Sequence, residues 1–145
     1  MKISTKGRYA VRFMIFLARR GGNDPVPLKE VADATGISRK YLEQIVSSLT
    51  AAQLVRSNRG SSGGYRLTKS AANISMLDIL TATEGSLAPV DYLDELSEEP
   101  SPGEARFEVF VWRELHDLIN NYLGSVSLQD IIDRSSQLEI DSYSI

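Results

Sequence analysis

Two short helical patterns joined by a glycine-containing turn, an arginine-bearing hairpin directly after them, and a long apolar helix further on predict a mainly α fold. The expected architecture is a winged helix-turn-helix with a small β-hairpin wing, followed by a long C-terminal dimerisation helix. At 145 residues the chain has room for one compact domain with an appended arm. A chain of this size buries roughly two-thirds of its unfolded surface, enough for a core without covalent staples. The expected divisions are residues 1–85 for the winged helix-turn-helix, 86–103 for an acidic loop, 104–136 for dimerisation helices and 137–145 for a C-terminal tail.

The first helix can be capped by Ser4 or Thr5 and runs to about Arg20, where Gly21 and Gly22 end it. Ala10, Phe13, Met14 and Leu17 recur at helical spacing, and Ile15 and Phe16 widen the apolar face, so burial on more than one side is expected. Asn23 to Pro27 read as a turn. Leu28, Val31 and Ala32 mark a short second helix stopped by Gly36. Ser38 then caps a third, which carries Leu42, Ile45, Val46 and Leu49 on one face.

That stripe dictates what lies opposite: Lys40, Glu43, Gln44 and Ser47, with Arg39 and Tyr41 flanking them near the N-terminal end. Such side chains hydrogen-bond base edges and phosphates, and recognition helices present their N-terminal residues to the major groove. An ordinary solvated face would look similar, and the next segment separates the two readings. The run VRSNRGSSGGYRL, residues 55–67, could cradle a phosphate, close a hairpin or serve as a linker. A P-loop needs Gly-Lys-Ser/Thr after four intervening residues, but Tyr65 stands five positions beyond Gly60 and no Lys follows. A dinucleotide fingerprint fails because Ser61 and Ser62 follow Gly60. Both flanks, Leu54 to Ser57 and Tyr65 to Leu67, are strand-like, so the run closes a β-hairpin with positive φ expected at Gly63 and Gly64. Arg56, Arg59 and Arg66 make the hairpin basic, and Arg59 at its tip can enter a minor groove.

Further on, Ser75, Leu77, Ile79, Leu80 and Ala82 mark a fourth helix ending at Gly85, and residues 86–103 are expected to be mostly loop. The long helix is expected over Glu104 to Leu123. Phe107, Phe110, Val111, Leu115, Leu118, Ile119 and Tyr122 form its stripe, extended by Leu123, Val109 and Trp112. That is more apolar surface than one packing partner needs, and it points to a homodimer seam. The alternative is a helix wedged into its own core.

Charge divides the chain. Residues 1–69 hold 13 Lys and Arg against 4 Asp and Glu, net +9; residues 70–145 hold 3 against 15, net −12. A basic front half suggests an anionic partner, and an acidic back half suggests self-association or a protein partner. There is no cysteine and one histidine, His116. Disulfides, thiolate metal sites and Cys–His nucleophiles are thereby excluded. No cofactor and no metal are expected, no Ser–His–Asp set assembles convincingly, and the enzyme reading is set aside. The N-terminus has basic residues without an apolar stretch behind them, and no apolar run approaches the ~18 residues of a membrane span. A soluble, cytoplasmic protein that does not engage membranes is expected.

The segments KGRYAV, SRKYLEQIVSSL and LVRSNRGSSGGYRL, in that order and spacing, resemble the Rrf-two family of winged-helix repressors over residues 1–85. The resemblance implies a homodimer on a partly palindromic double-stranded DNA operator. The expected DNA contacts are Thr5, Lys6, Ser38, Arg39, Lys40, Tyr41, Glu43, Gln44, Ser47, Arg56, Arg59, Gly60 and Ser61. The family's iron–sulfur branch places three cysteines in the segment that here spans residues 86–103, and none is present. The openings MKISTKGRY and EGSLAPV, and the ending SYSI, are instead similar to the cysteine-free branch that represses cysteine metabolism. That branch implies a partnership with cysteine synthase, the O-acetylserine thiol-lyase, and no cofactor on the regulator. A C-terminal isoleucine joins an apolar side chain to a carboxylate, so Ile145 is expected to dock in the synthase active site with Tyr143 at its mouth. The alternatives are a regulator of the same family with another effector, or a winged helix used only for protein contacts.

Overall fold

The computed structural model describes residues 2–21, 24–95 and 107–143. Helix α1 (Thr5–Arg19) is capped by Ser4, whose hydroxyl accepts from the Gly7 N–H at 3.1 Å. Helix α2 (Leu28–Thr35) stops where Gly36 turns left-handed at φ 76°. Helix α3 (Arg39–Ala51) starts from Ser38, which accepts from the Tyr41 N–H at 3.2 Å. The starts of α1 and α3 and the ends of α1 and α2 fall where the capping serines and the glycine stops predict, while α3 ends on its cap residue Ala52, ahead of Gln53 at φ 60°.

Strands β1 (Val55–Asn58) and β2 (Gly64–Leu67) pair antiparallel, with Val55 opposite Leu67 and Ser57 opposite Tyr65. Positive φ falls at Gly60 (116°) and Gly64 (155°), not at the Gly63–Gly64 pair expected. Gly63 is required for space instead, since a Cβ there would overlap the Asn58 carbonyl. The turn before α2 also does more than turn. Val26 exchanges two 2.9 Å hydrogen bonds with Tyr65 and adds a one-residue third strand. Any Cβ at Gly64 would strike Val26, so this strand addition depends on the glycine.

Helix α4 (Met76–Glu84) follows a short 3-10 turn at Ala71–Asn73, and Tyr92–Glu95 forms one helical turn, α5, inside the expected loop. Helix α6 covers Val109–Ser125. It starts later than expected, with Phe107 in a preceding turn, and residues 104–106 lie outside the described ones. Helix α7 (Leu128–Tyr143) continues through most of the segment expected as a tail; residues 144 and 145 lie outside the described ones.

The starts of α4 and α7 lie side by side. Met76 N–H donates to the Val126 carbonyl (2.8 Å) and Leu128 N–H to the Ile74 carbonyl (2.9 Å). Each start carries its own Ser/Asp capping box, Ser75 with Asp78 and Ser127 with Asp130, all four bonds at 2.9–3.1 Å. From there α7 packs back along α1, and Arg19 pairs with Glu139 at 3.0 Å.

The core forms where these elements meet. Phe13, Met14 and Leu17 of α1, Val31 of α2, and Leu42, Ile45 and Leu49 of α3 are fully buried. So are Val55, Ile74, Ile79 and Leu128, so α7 contributes its first residue to the same core. Full burial of each such side chain is worth roughly 1.5–3 kcal/mol. No polar or charged residue is buried as a whole among the described residues.

Candidate nucleic-acid interface

The stripe at Leu42, Ile45, Val46 and Leu49 holds α3 against the core and leaves its other face outward. Ser38, Arg39, Lys40, Glu43, Gln44 and Ser47 are exposed. Arg39, Lys40, Glu43 and Gln44 make no hydrogen bond or ion pair among the described residues, so their donors and acceptors are available to a ligand. With Arg39 and Lys40 in the first turn, positive charge sits at the end that recognition helices insert into the major groove.

Tyr41 behaves differently from its neighbours. It is half-buried, its ring meeting Tyr9 of α1 edge to face at 5.7 Å. Arg12 lies over the Tyr9 ring at 5.6 Å and donates to the Thr35 carbonyl at 3.2 Å, at the end of α2. One chain of contacts therefore locks α1, α2 and α3 together directly behind the outward face. Tyr9 and Arg12 were not among the expected site residues. Their aromatic and cationic chemistry is visible in the sequence, but the pairing across 32 positions is not.

The start of α1 is brought to the same face. Lys6 Nζ donates to Ser48 Oγ at 2.8 Å, and Thr5 Oγ1 accepts from Arg8 at 3.1 Å. Glu84 at the end of α4 anchors this start by accepting from both the N–H and the hydroxyl of Ser4, at 3.0 and 2.6 Å. Gly7 makes that anchor possible, because a Cβ at residue 7 would overlap the Glu84 carboxylate. Lys6 is thus joined to α3 at Ser48, next in sequence to Ser47.

In the hairpin, Arg59, Gly60 and Ser61 occupy an exposed tip closed by a 3.0 Å bond from Gly63 N–H to the Gly60 carbonyl. Arg56 is not with them. It stands at the base of the hairpin, opposite Arg66, in a cleft that also includes Gln129 of α7.

The expected dimer residues are gathered on α6 and its lead-in turn, and none of the residues of α6 is buried. Phe107 is 85 % exposed, Phe110 62 %, Leu118 67 % and Tyr122 65 %; Val111 and Leu115 are exposed as well. Ile119 is half-buried and, with Tyr122 and Leu123, lines an apolar groove of 690 Å³ whose other wall is Tyr9, Val11 and Leu80. His116 sits mid-helix with Nε2 3.1 Å from the Asn120 amide. Tyr143 closes α7, and Ile145 lies outside the described residues. No helix among the described residues is long and apolar enough to cross a membrane.

The Rrf2 family, described as iron-dependent transcriptional regulators, matches residues 3–134. The transcriptional regulator CymR of Bacillus subtilis is 41 % identical over 131 residues, 90 % of this chain and 89 % of that protein. IscR of Xenorhabdus nematophila is 36 % identical over 141 residues, 97 % of this chain and 84 % of that protein. Among solved structures, CymR, the global cysteine regulator of B. subtilis, superposes with a TM-score of 0.76 at 37 % identity, covering 92 % of this chain and 98 % of that one. IscR of T. potens gives 0.71 at 33 %, covering 93 % and 88 %.

The chain has no cysteine, and among the described residues no three His, Cys, Asp or Glu side chains are grouped so as to hold a metal ion. The relatives are transcriptional regulators and not enzymes. The match over most of the chain, with the same helices and hairpin in the solved relatives, makes this protein a winged-helix member of the Rrf2 family of transcriptional regulators.

Proposed function

We propose that the chain is a cytoplasmic, homodimeric, sequence-specific DNA-binding repressor. The observation that carries this reading is the outward face of α3, whose Arg39, Lys40, Glu43 and Gln44 are exposed and unpartnered in the half of the chain with net charge +9. Arg39 and Lys40 would meet phosphates, and Gln44 and Glu43 would meet base edges, Glu43 accepting from a cytosine amine. Thr5, Lys6 and Ser47 would extend the contact, and Arg59 would reach a minor groove from the wing tip. A second copy would cover the α6 stripe, and the resulting two-fold symmetry suits a partly palindromic operator. The experiment is a gel shift on genomic fragments at several salt concentrations. Specific binding that falls about a thousandfold or more between about 50 and 200 mM salt is expected. Binding that ignores salt would leave a winged helix used for protein contacts.

The regulated genes, in this reading, belong to sulfur and cysteine metabolism, and the protein acts with cysteine synthase. The support is the similarity to CymR, the global cysteine regulator of B. subtilis. Ile145 would enter the synthase active site with Tyr143 at its mouth, in competition with O-acetylserine. Deleting Ile145 should remove most of the affinity for the synthase of the same organism and leave DNA binding intact. The similarity to IscR at 36 % identity favours a second reading, a regulator with another effector and no iron–sulfur cluster. Unchanged synthase binding after the deletion would select it.

A further inference from the structure

Arg56 and Arg66 are directly opposed in the β1–β2 register, so both guanidinium groups leave the same face of the hairpin. Like charges in directly opposed strand positions repel. Neither arginine has an ion-pair partner among the described residues, and Arg66 Nε is buried with no acceptor. A desolvated donor on a charged group without an acceptor is expensive to leave unmade. The two arginines line a cleft of 490 Å³, within the range of small-molecule sites. Its other walls include Lys69 and Ser70 beyond β2, Ala18 near the end of α1, and Gln129 in the first turn of α7. Among the described residues no acidic side chain lines it.

Arg56 is the one expected DNA contact that lines the cleft. None of the exposed residues of α3 and none of the wing-tip residues lines it. Ala18 is 12 residues along α1 from Lys6, roughly 18 Å at the helical rise. We propose that this cleft binds a tetrahedral oxyanion of the sulfate or phosphate type, either free or carried on a small metabolite, held by Arg56, Arg66 and Lys69. The fork of an arginine matches two oxygens of such an anion, and a dianion converts the repulsion between Arg56 and Arg66 into shared attraction. Because Gln129 belongs to α7, the bound anion would tie the base of the wing to the C-terminal helices, giving the regulator a ligand input that needs no metal.

The test uses the full chain without DNA, so its outcome is independent of whether the chain binds an operator. The protein is titrated with sodium sulfate, sodium phosphate and glycerol phosphate against sodium chloride at matched ionic strength. Melting temperature and calorimetric heat are read. A saturable rise with the oxyanions and not with chloride is expected, and Arg66→Gln and Lys69→Gln should each weaken it about tenfold or more. Tighter binding of glycerol phosphate than of inorganic phosphate would identify a metabolite as the source; the reverse would identify the free ion. Lys69 is exposed, so Lys69→Gln keeps its fold even if Arg66→Gln does not. Either of two results overturns the proposal: no saturable effect beyond chloride, or equal affinity in wild type and in Lys69→Gln.

Discussion

Helices α3 and α6 are both amphipathic, and they meet opposite fates. The apolar side of α3 is fully used: Leu42, Ile45 and Leu49 are sealed in the core, and only polar chemistry faces out. The apolar side of α6 is left in the open, from Phe110 to Tyr122, on a helix with no buried residue. The first helix has its apolar side covered within one chain and leaves its polar face outward. The second leaves its apolar face uncovered among the described residues, and exposed apolar surface of this extent is what the proposed second copy would cover. A strong apolar stripe therefore carries no information about where its partner comes from. The difference is made by what the neighbouring elements already cover.

The contrast breaks most severely in the core. Phe13→Ala should destabilise the chain by about 3–5 kcal/mol in urea titrations, because the ring is fully buried in the core and its removal leaves a cavity there. Leu118→Glu should do the reverse. The fold should keep its helical signal by circular dichroism while light scattering shows a monomer, and operator affinity should fall about a hundredfold or more as the two half-sites are bound separately. If Leu118→Glu unfolded the protein instead, α6 would belong to the intramolecular core and the contrast would vanish.

Smaller effects sharpen it. Arg59→Ala should cost roughly 1–3 kcal/mol of specific DNA binding with an unchanged melting temperature, since the side chain stands at an exposed tip. An unchanged operator affinity would remove the wing from recognition. Ser127→Ala should cost about 1 kcal/mol of stability through loss of the α7 cap. The Ser127 backbone N–H, and then its hydroxyl, hold the Asp130 carboxyl below its ordinary value of 3.8. A carboxyl lowered in the folded state contributes stability that is present above the unfolded value and lost as the pH falls through the folded one. Asp130→Asn should therefore flatten the acid limb of the stability profile, measured by melting temperature against pH. The smallest change in affinity is expected for Glu43→Ala. Total binding should stay similar or rise while selection among operator sequences relaxes, because a carboxylate gains nothing from phosphate. Loss of binding to every sequence would give Glu43 a structural task.

Local chemistry in the sequence determined α1 to α4, the hairpin and the outward set on α3. In each case a cap, a glycine stop or a period of 3.6 acts within a few residues, and such signals do not depend on distant contacts. The Ser-x-x-Asp pattern that starts α4 at Ser75 recurs at Ser127, so the start of α7 is equally legible in the sequence. Tertiary structure alone decided the rest. It joined Val26 to Tyr65, seated Glu84 over Gly7, brought Tyr9 against both Arg12 and Tyr41, laid α7 back along α1, and set Arg56 against Arg66 at the base of the hairpin, away from its tip. These are contacts between side chains and backbones far apart along the chain. Their energy depends on distance and burial in three dimensions, and neither quantity is written in residue type or spacing.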